Sequence, residues 1–428
     1  MLVVACAFVL FLLIGMPVAF AIGISGALFF LQHPELPSTI PIQLTITQTQ
    51  NFALLAVPLF ILAGNAMNKS GITDQLLSLA SVLTGRLRGG LAQVSVALAA
   101  LMGGVSGSCI ADAAMQARML GDAMAQRGFS KGYAAGVLSY GSLLTPIIPP
   151  GIGFILYGSV GQVSIGRLFA AGFVPAFFLW AALAATIAWT AKRRGYAPER
   201  AARPSLGEAA VALRGGIWAI LFPVLLLVGL RMGVFTPSEI GAFAVVYAVA
   251  IGAVVYRKLG RQSAREALEG SLVDVGAVMF LIALSGIFGY GIVFERVPEA
   301  VSGAILGVTR SPEGVLALIV VLVLVAGCFI DGAVLIIMLT PIFLPLVREL
   351  NVDPVHFGLV FIIAATIGNF TPPVGAAMYA VCSILRCPVG AYARESAPFL
   401  AAVAAVTLLL ILVPELVLFV PDLIFGKD

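Results

Sequence analysis

Long apolar runs without a single charge constrain this chain most. Leu2–Leu13, Val315–Ala326 and Phe399–Pro414 are three of them. Such a run satisfies its own backbone only as a helix in lipid or in a large core. An open β-barrel would alternate apolar and polar positions along each strand, and these runs do not. Of 428 residues, 61% are apolar and 10% charged. Mean hydropathy is +1.10. A soluble domain carries about a quarter charged residues. A soluble enzyme, a disordered chain and a nucleic-acid binder are thereby excluded, and a polytopic all-α membrane protein is expected. Net charge is only +4. Cys6, Cys109, Cys328, Cys382 and Cys387 show no metal-site spacing, and His33 and His356 lie far apart. No Ser/His/Asp arrangement and no GxxxxGK[ST] pattern is present, so no enzymatic activity is expected and an ion gradient is the expected driving force. The first 31 residues lack a basic start. They read as a retained first span, kinked near Gly15 and Pro17, rather than a signal peptide.

A span needs about 20 apolar residues. That ruler predicts spans near 2–31, 49–68, 132–160, 168–191, 215–234, 238–256, 271–293, 355–385 and 397–421. Short amphipathic helices at Asp74–Leu87 and Pro298–Thr309 suit the interface. Residues 90–126 and 313–348 are apolar but interrupted by Gly, Ser or Asp, as befits a chain that enters the membrane, turns and returns.

Basic residues set the orientation. Lys192, Arg193, Arg194, Arg200, Arg203 and Arg214 crowd one loop; Arg257, Lys258, Arg261 and Arg265 crowd another. Two spans separate these loops, so both fit the cytoplasm. Propagating outward places seventeen of the Lys and Arg inside and six outside, with Arg118 inside the first interrupted stretch. The N-terminus is then expected in the cytoplasm and Asp428 in the periplasm. Arg86, Arg88, Arg127 and Lys131 flank the first interrupted stretch on the inside; Arg310 and Arg348 flank the second on the outside. Two re-entrant hairpins of opposite orientation result, as an inverted repeat produces. Pro149-Pro150 recurs 223 positions later as Pro372-Pro373. The expected organisation is a first repeat over 1–214 (hairpin 90–126, broken helix 132–160), a linking span over 215–234, and a second repeat over 235–428 (hairpin 313–348, broken helix 355–385).

Four segments place irregular backbone at membrane depth. They are Gly103–Ser108 with Asp112, Thr145–Gly151, Gly327–Gly332 and Gly368–Gly375. Irregular backbone is tolerated there only against protein or a water-filled cavity. Proline frees carbonyls of the preceding turn, which suit Na+. The half-helix after each Pro-Pro offers a positive N-terminus to an anion. Asp112 and Asp331 are intramembrane acids. Asp331 is expected at or near a cation site, the alternative being a cap on its helix. For Asp112, bracing the hairpin stands beside ion binding. Arg118 reads as a snorkelling anchor rather than a substrate ligand. Asn65, Asn68, Ser285 and Tyr290 lie at the ends of the paired second spans, where they could border a site.

These features resemble the large membrane subunit (M, DctM-like) of a tripartite ATP-independent periplasmic (TRAP) transporter. The resemblance rests on Gly15-Met16-Pro17, Pro58-Leu59-Phe60 with Gly64-Asn65, Gly104–Ser108 with Ala111-Asp112, Ile148-Pro149-Pro150, Asp331 with Pro341 and Pro345, and Thr371–Gly375. It implies an ion-transporter-superfamily elevator fold in the bacterial inner membrane, multi-pass, with no cofactor beyond Na+ as the coupling ion. It implies two partners: a small four-helix membrane (Q) subunit, here expected as a separate chain, and a periplasmic substrate-binding protein. The cargo it implies is a small organic acid anion such as a C4-dicarboxylate or sialic acid. A stand-alone Na+/dicarboxylate symporter and a channel or scaffold subunit are the alternatives. One Na+ site is expected around Ser106, Ser108 and Thr145, the other around Gly327, Asp331, Gly368, Asn369 and Thr371. Substrate is expected between them, at Ser106, Gly107, Ser108, Pro150, Gly151, Thr371, Pro373 and Gly375, held by half-helix N-termini and hydroxyls.

Overall fold

The computed structural model describes residues 2–200 and 202–426. No strand occurs among them. Seven helices are long and apolar enough to cross a bilayer, or up to eight if one bent pair counts as a single span.

The first expected span is not one helix. α1 (Leu2–Leu13) ends where Gly15 adopts φ 85°, and the Met16 N–H closes on Phe11 O at 3.0 Å. That six-to-one bond terminates a helix. α2 (Val18–Gln32) then runs back along α1. The Phe8 ring lies 5.6 Å from that of Phe288, Phe20 5.2 Å from Phe280, and Phe29 5.6 Å from Phe294, centroid to centroid. Phe8 thus sits further along the 280–294 helix than Phe20 does, and the chain has reversed between them. The left-handed glycine makes a hairpin where a kink was expected, so the start of α1 lies at the same end as His33, opposite the end that carries the basic loops, and not at the cytoplasmic end where the sequence placed it.

α3 (Ile40–Thr49) falls almost wholly between the first two expected spans and was not foreseen. α4 (Ala56–Lys69) and α5 (Ile72–Thr84) follow; α5 buries Ile72, Leu76, Leu79 and Ala80. Next come α6 (Leu91–Ser106) and α7 (Cys109–Gln126), then α8 (Lys131–Gly141) and α9 (Ile152–Gly161), separated by irregular backbone. α10 (Ile165–Ala171) and α11 (Phe173–Arg194) are nearly continuous. α12 (Leu206–Arg231) begins with a Ser205–Glu208 capping box. The boundary expected between 214 and 215 therefore falls inside a continuous helix. α13 (Pro237–Ala250) leads to α14 (Arg261–Phe294), whose 34 residues make it about 51 Å long. α15 (Val297–Val308) meets α16 (Pro312–Gly327) at 117°. α17 (Gly332–Glu349), α18 (Pro354–Gly368), α19 (Ala376–Leu385), α20 (Val389–Leu412) and α21 (Glu415–Phe425) complete the chain. The expected last span over 397–421 is these final two helices, parted at Val413 and Pro414.

Packing sorts the helices into two groups. In one, α14 lies on α2, α3 and α4, while α4 lies on α13 and α5 on α12. In the other, α7 lies on α19, α8 on α20, α16 on α18 and α17 on α9. The groups meet where α6 touches α4, α5 and α12, and where α17 touches α14 and α15.

Polar pairs gather at two ends. Lys69–Glu266 and Lys258–Asp74, each 2.8 Å, share one end with Arg194–Glu395. His33–Glu295 (3.1 Å), Arg167–Asp422 (2.9 Å) and Arg348 to Gly161 O (3.0 Å) mark the other. Every one of these pairs joins residues that the distribution of basic residues places on one side. In a cysteine-free background, a Cys at exposed Glu313 should react with an impermeant maleimide added to intact cells, and a Cys at exposed Arg261 only after lysis. The reverse pattern would invert the orientation. Asp428, expected in the periplasm, lies outside the described residues.

His33 pins the end of α2, its ring nitrogens 2.8 Å from Glu35 and 3.1 Å from Glu295. The Glu35 hydrogen bond raises the imidazole pKa above its ordinary value. A group with a raised folded-state pKa stabilises most below its unfolded value and loses that contribution as pH rises through the folded one. Amide exchange over residues 30–36, corrected for intrinsic rates, should therefore be faster at about pH 8.5 than at about pH 6. Equal protection at both would remove this clamp.

Candidate functional site

The first hairpin turns at Gly107, whose φ of 64° suits glycine. Ser108 caps α7, its Oγ accepting from the Ala111 N–H at 3.4 Å. The tip faces the first Pro-Pro segment: a Cβ at Gly107 would lie 3.3 Å from Pro150 O. Gly151 is equally confined, a Cβ there falling 2.0 Å from Pro146 O.

Asp112 is buried one turn below the tip. Its Oδ2 accepts from Thr145 Oγ1 at 2.8 Å and from Gln116 Nε2 at 2.9 Å. Gln116 Oε1 in turn accepts from Ser95 Oγ at 2.7 Å. This chain of bonds ties both arms of the hairpin to the broken helix, so bracing is one role of Asp112. Its Oδ1 is buried with no hydrogen-bond partner among the described residues. An orphaned carboxylate oxygen in an apolar interior is costly unless a cation or water meets it. Thr145 directs its hydroxyl to Asp112, and among the described residues no hydrogen bond joins it to Ser106 or Ser108. The Ser106 carbonyl instead faces α4, 3.4 Å from where a Cβ on Gly64 would lie.

The second hairpin repeats the arrangement with different atoms. Asp331 caps α17, its Oδ1 accepting from the Ala333 N–H at 2.9 Å. Gly327 and Gly368 touch through their backbones: a Cβ on Gly368 would fall 2.4 Å from Gly327 C. Gly332 faces Ala365 O and Asn369. Asn369 O accepts from the Ala377 and Met378 N–H groups at 3.0 and 3.2 Å, folding the Pro-Pro segment back on the start of α19. Thr371 Oγ1 donates to Ile367 O at 2.9 Å, and Gly375 packs under Asn369 O and Thr371 O. Pro373 is exposed beside them. Both Pro-Pro bonds are cis.

The two halves meet at Asn369 and Cys109, where Nδ2 lies 3.7 Å from Sγ. Tyr392 OH donates to Phe370 O at 2.8 Å, and the Tyr140 ring lies 5.6 Å from Phe370. Gly327, Asp331, Gly368, Asn369 and Thr371 thus form one neighbourhood. Gly107, Ser108, Pro150 and Gly151 form a second, with Thr145 joined to it through Asp112. Sequence reasoning missed Cys109, Gln116, Tyr140 and Tyr392. Gln116 was detectable, one helical turn after Asp112; no local signal marked the other three.

Asn65 and Arg118 do not join either neighbourhood. Asn65 Nδ2 bonds Ser271 and Asp274, both at 3.1 Å, and fastens α4 to α14. Ser285 and Tyr290, with Gln48, Asn51, Ser159 and Gln162, line a cavity of about 450 Å³ between α14 and α17.

The family model of the tripartite ATP-independent periplasmic transporter, DctM component, matches residues 5–416. The chain is 33% identical to the isethionate TRAP transporter permease protein DctMQ of Oleidesulfovibrio alaskensis, over 96% of this chain and 65% of that longer protein. It is 32% identical to the 2,3-diketo-L-gulonate TRAP transporter large permease protein YiaN of Escherichia coli, over 95% of each. It is 31% identical to the C4-dicarboxylate TRAP transporter large permease protein DctM of Pseudomonas aeruginosa, over 94% of each. Among solved structures, the YdaH transporter of Alcanivorax borkumensis shares the fold at TM-score 0.58 and 16% identity, over 95% of this chain and 97% of that one. MtrF of Neisseria gonorrhoeae follows at 0.56 and 13%, over 87% and 83%. A multi-pass helical chain matched from residue 5 to residue 416 therefore belongs to the DctM family, the large permeases of TRAP transporters.

Proposed function

We propose that this large permease takes up a small organic acid anion with Na+ across the bacterial inner membrane, by an elevator movement of one helix group against the other. The observation that carries the reading is the doubled construction: in each half a hairpin tip lies against a Pro-Pro segment, and the halves meet at Cys109 and Asn369. Carbonyls and hydroxyls at these breaks supply oxygen ligands to a hard cation without adding charge. The orphaned Asp112 Oδ1 and the capping Asp331 supply the carboxylates, one per half. The N-termini of α9 and α19 supply partial positive charge for a carboxylate or sulfonate. In this reading the halves are an inverted repeat and the two hairpins are re-entrant.

The names of the relatives indicate the cargo class: isethionate, 2,3-diketo-L-gulonate and C4-dicarboxylates are all organic anions. The share of the DctMQ relative that lies beyond this chain supports a small permease subunit as partner. A periplasmic binding protein delivers the substrate.

Reconstitution in liposomes with both partners tests this. Uptake should require the binding protein and an inward Na+ gradient. Uptake without the binding protein would favour a stand-alone symporter, and unsaturable flux would favour a channel. Arg118→Ala should retain measurable Na+-driven uptake, within about tenfold of wild type, because its charge lies about 14 Å along α7 from Cys109. Complete loss of substrate binding in a folded Arg118→Ala protein would make Arg118 the carboxylate ligand.

A further inference from the structure

We infer that the basic end of the second helix group binds a phosphate group, supplied by an anionic lipid of the cytoplasmic leaflet. The site is a cavity of about 480 Å³ between α7, the start of α8 and the end of α19. Arg118, Lys131 and Arg386 line it, together with one acid, Asp122. Among the described residues none of these three cations makes an ion pair or a side-chain hydrogen bond. Their neighbours at the same end do pair: Lys69, Arg194 and Lys258 each hold a carboxylate. Arg118, Lys131 and Arg386 are all exposed at the mouth of the hollow, so a headgroup can reach them, and three cations against one carboxylate leave a surplus of positive charge that attracts an anion.

The depth selects the source. Arg118 stands nine positions after Cys109 and Arg386 ten after Ala376, about 14 and 15 Å of helix. α7 and α19 both start near the junction of the two halves and run side by side, since a Cβ on Gly121 would meet Leu385 at 2.3 Å. Their cations therefore leave the middle of the molecule by about half the ~30 Å hydrocarbon thickness, the level of lipid phosphates. The rest of the lining is apolar: Phe129, Ala134, Ile384 and Leu385 offer contact to the first carbons of acyl chains. Basic pockets between membrane helices on this side hold anionic headgroups. Arg386 sits at φ 50° in the left-handed turn that ends α19. This inference does not depend on what the protein transports.

The test uses the full chain in nanodiscs of phosphatidylcholine with and without phosphatidylglycerol, read by native mass spectrometry, and inorganic phosphate added to delipidated protein, read by melting temperature. Each basic residue near the surface is worth about fivefold in affinity, so Arg118→Gln with Arg386→Gln should weaken phosphatidylglycerol retention about 30-fold. Lys131→Gln alone should weaken it about fivefold and serves if the double variant does not fold. Retention lost in these variants supports the lipid source. Phosphate that stabilises wild type but not the variants, without preferential lipid retention, supports the oxyanion site and overturns the lipid. Equal lipid retention in all proteins and no phosphate effect overturns the site.

Discussion

Gly368→Ala is expected to reduce Na+-driven uptake about 100-fold and to lower the melting temperature measurably. The added Cβ would sit 2.4 Å from the Gly327 backbone, where no flexible side chain can give way. Overpacking of this kind costs about 1–3 kcal/mol, and here the strain falls on the contact that seats the second hairpin tip on its Pro-Pro segment. Gly303→Ala is the control: nothing lies within 4 Å of its Cβ, and helix propensity favours alanine there. Wild-type uptake by the Gly368 variant would show that the tip and the segment need not touch.

Neutralising the two intramembrane acids is the second large effect. Asp331→Asn should raise the Na+ concentration for half-maximal uptake about tenfold or more while leaving the fold intact. Asparagine caps a helix as well as aspartate, so the Ala333 N–H keeps its partner. What is lost is negative charge beside the freed carbonyls. Asp112→Asn should act on Na+ dependence at least as strongly. Its carboxamide oxygen can still accept from Thr145 and Gln116, but the NH2 group then occupies the position of the orphaned Oδ1 and points hydrogens at any cation. An unchanged Na+ dependence in either variant removes that residue from the ion path.

Much of this was legible in the chain because lipid simplifies the problem. Apolar run length and doubled prolines report directly on helices and breaks. Over 90–126 the chain forms the helices Leu91–Ser106 and Cys109–Gln126, and over 313–348 Pro312–Gly327 and Gly332–Glu349, so each interruption read in the sequence parts two helices. The reversal at Gly15 was hidden because a kinked helix and a tight hairpin share the same Gly-x-Pro signal; only the sign of φ separates them. α3 was hidden because its helix is stabilised by packing on α14 rather than by its own propensity. The structure brings Gly327, Asp331, Gly368, Asn369 and Thr371 together, but the bonds that these residues make were not legible. That Thr145 serves Asp112, and that Asn369 reaches Cys109, depends on tertiary approach that no local pattern encodes.

α14 has a mechanical consequence. At about 51 Å it exceeds the hydrocarbon by about 20 Å, and its first half carries Arg261, Arg265, Glu266, Glu269 and Asp274. Sliding this helix along the membrane normal would draw those charges into lipid, at about 2.5–3.5 kcal/mol for each basic or aspartate side chain by insertion scales. Lys69, bonded to Glu266, would be dragged with them. Under the proposed elevator movement α14 is a keel: it resists vertical displacement together with α2, α3 and α4, which pack on it.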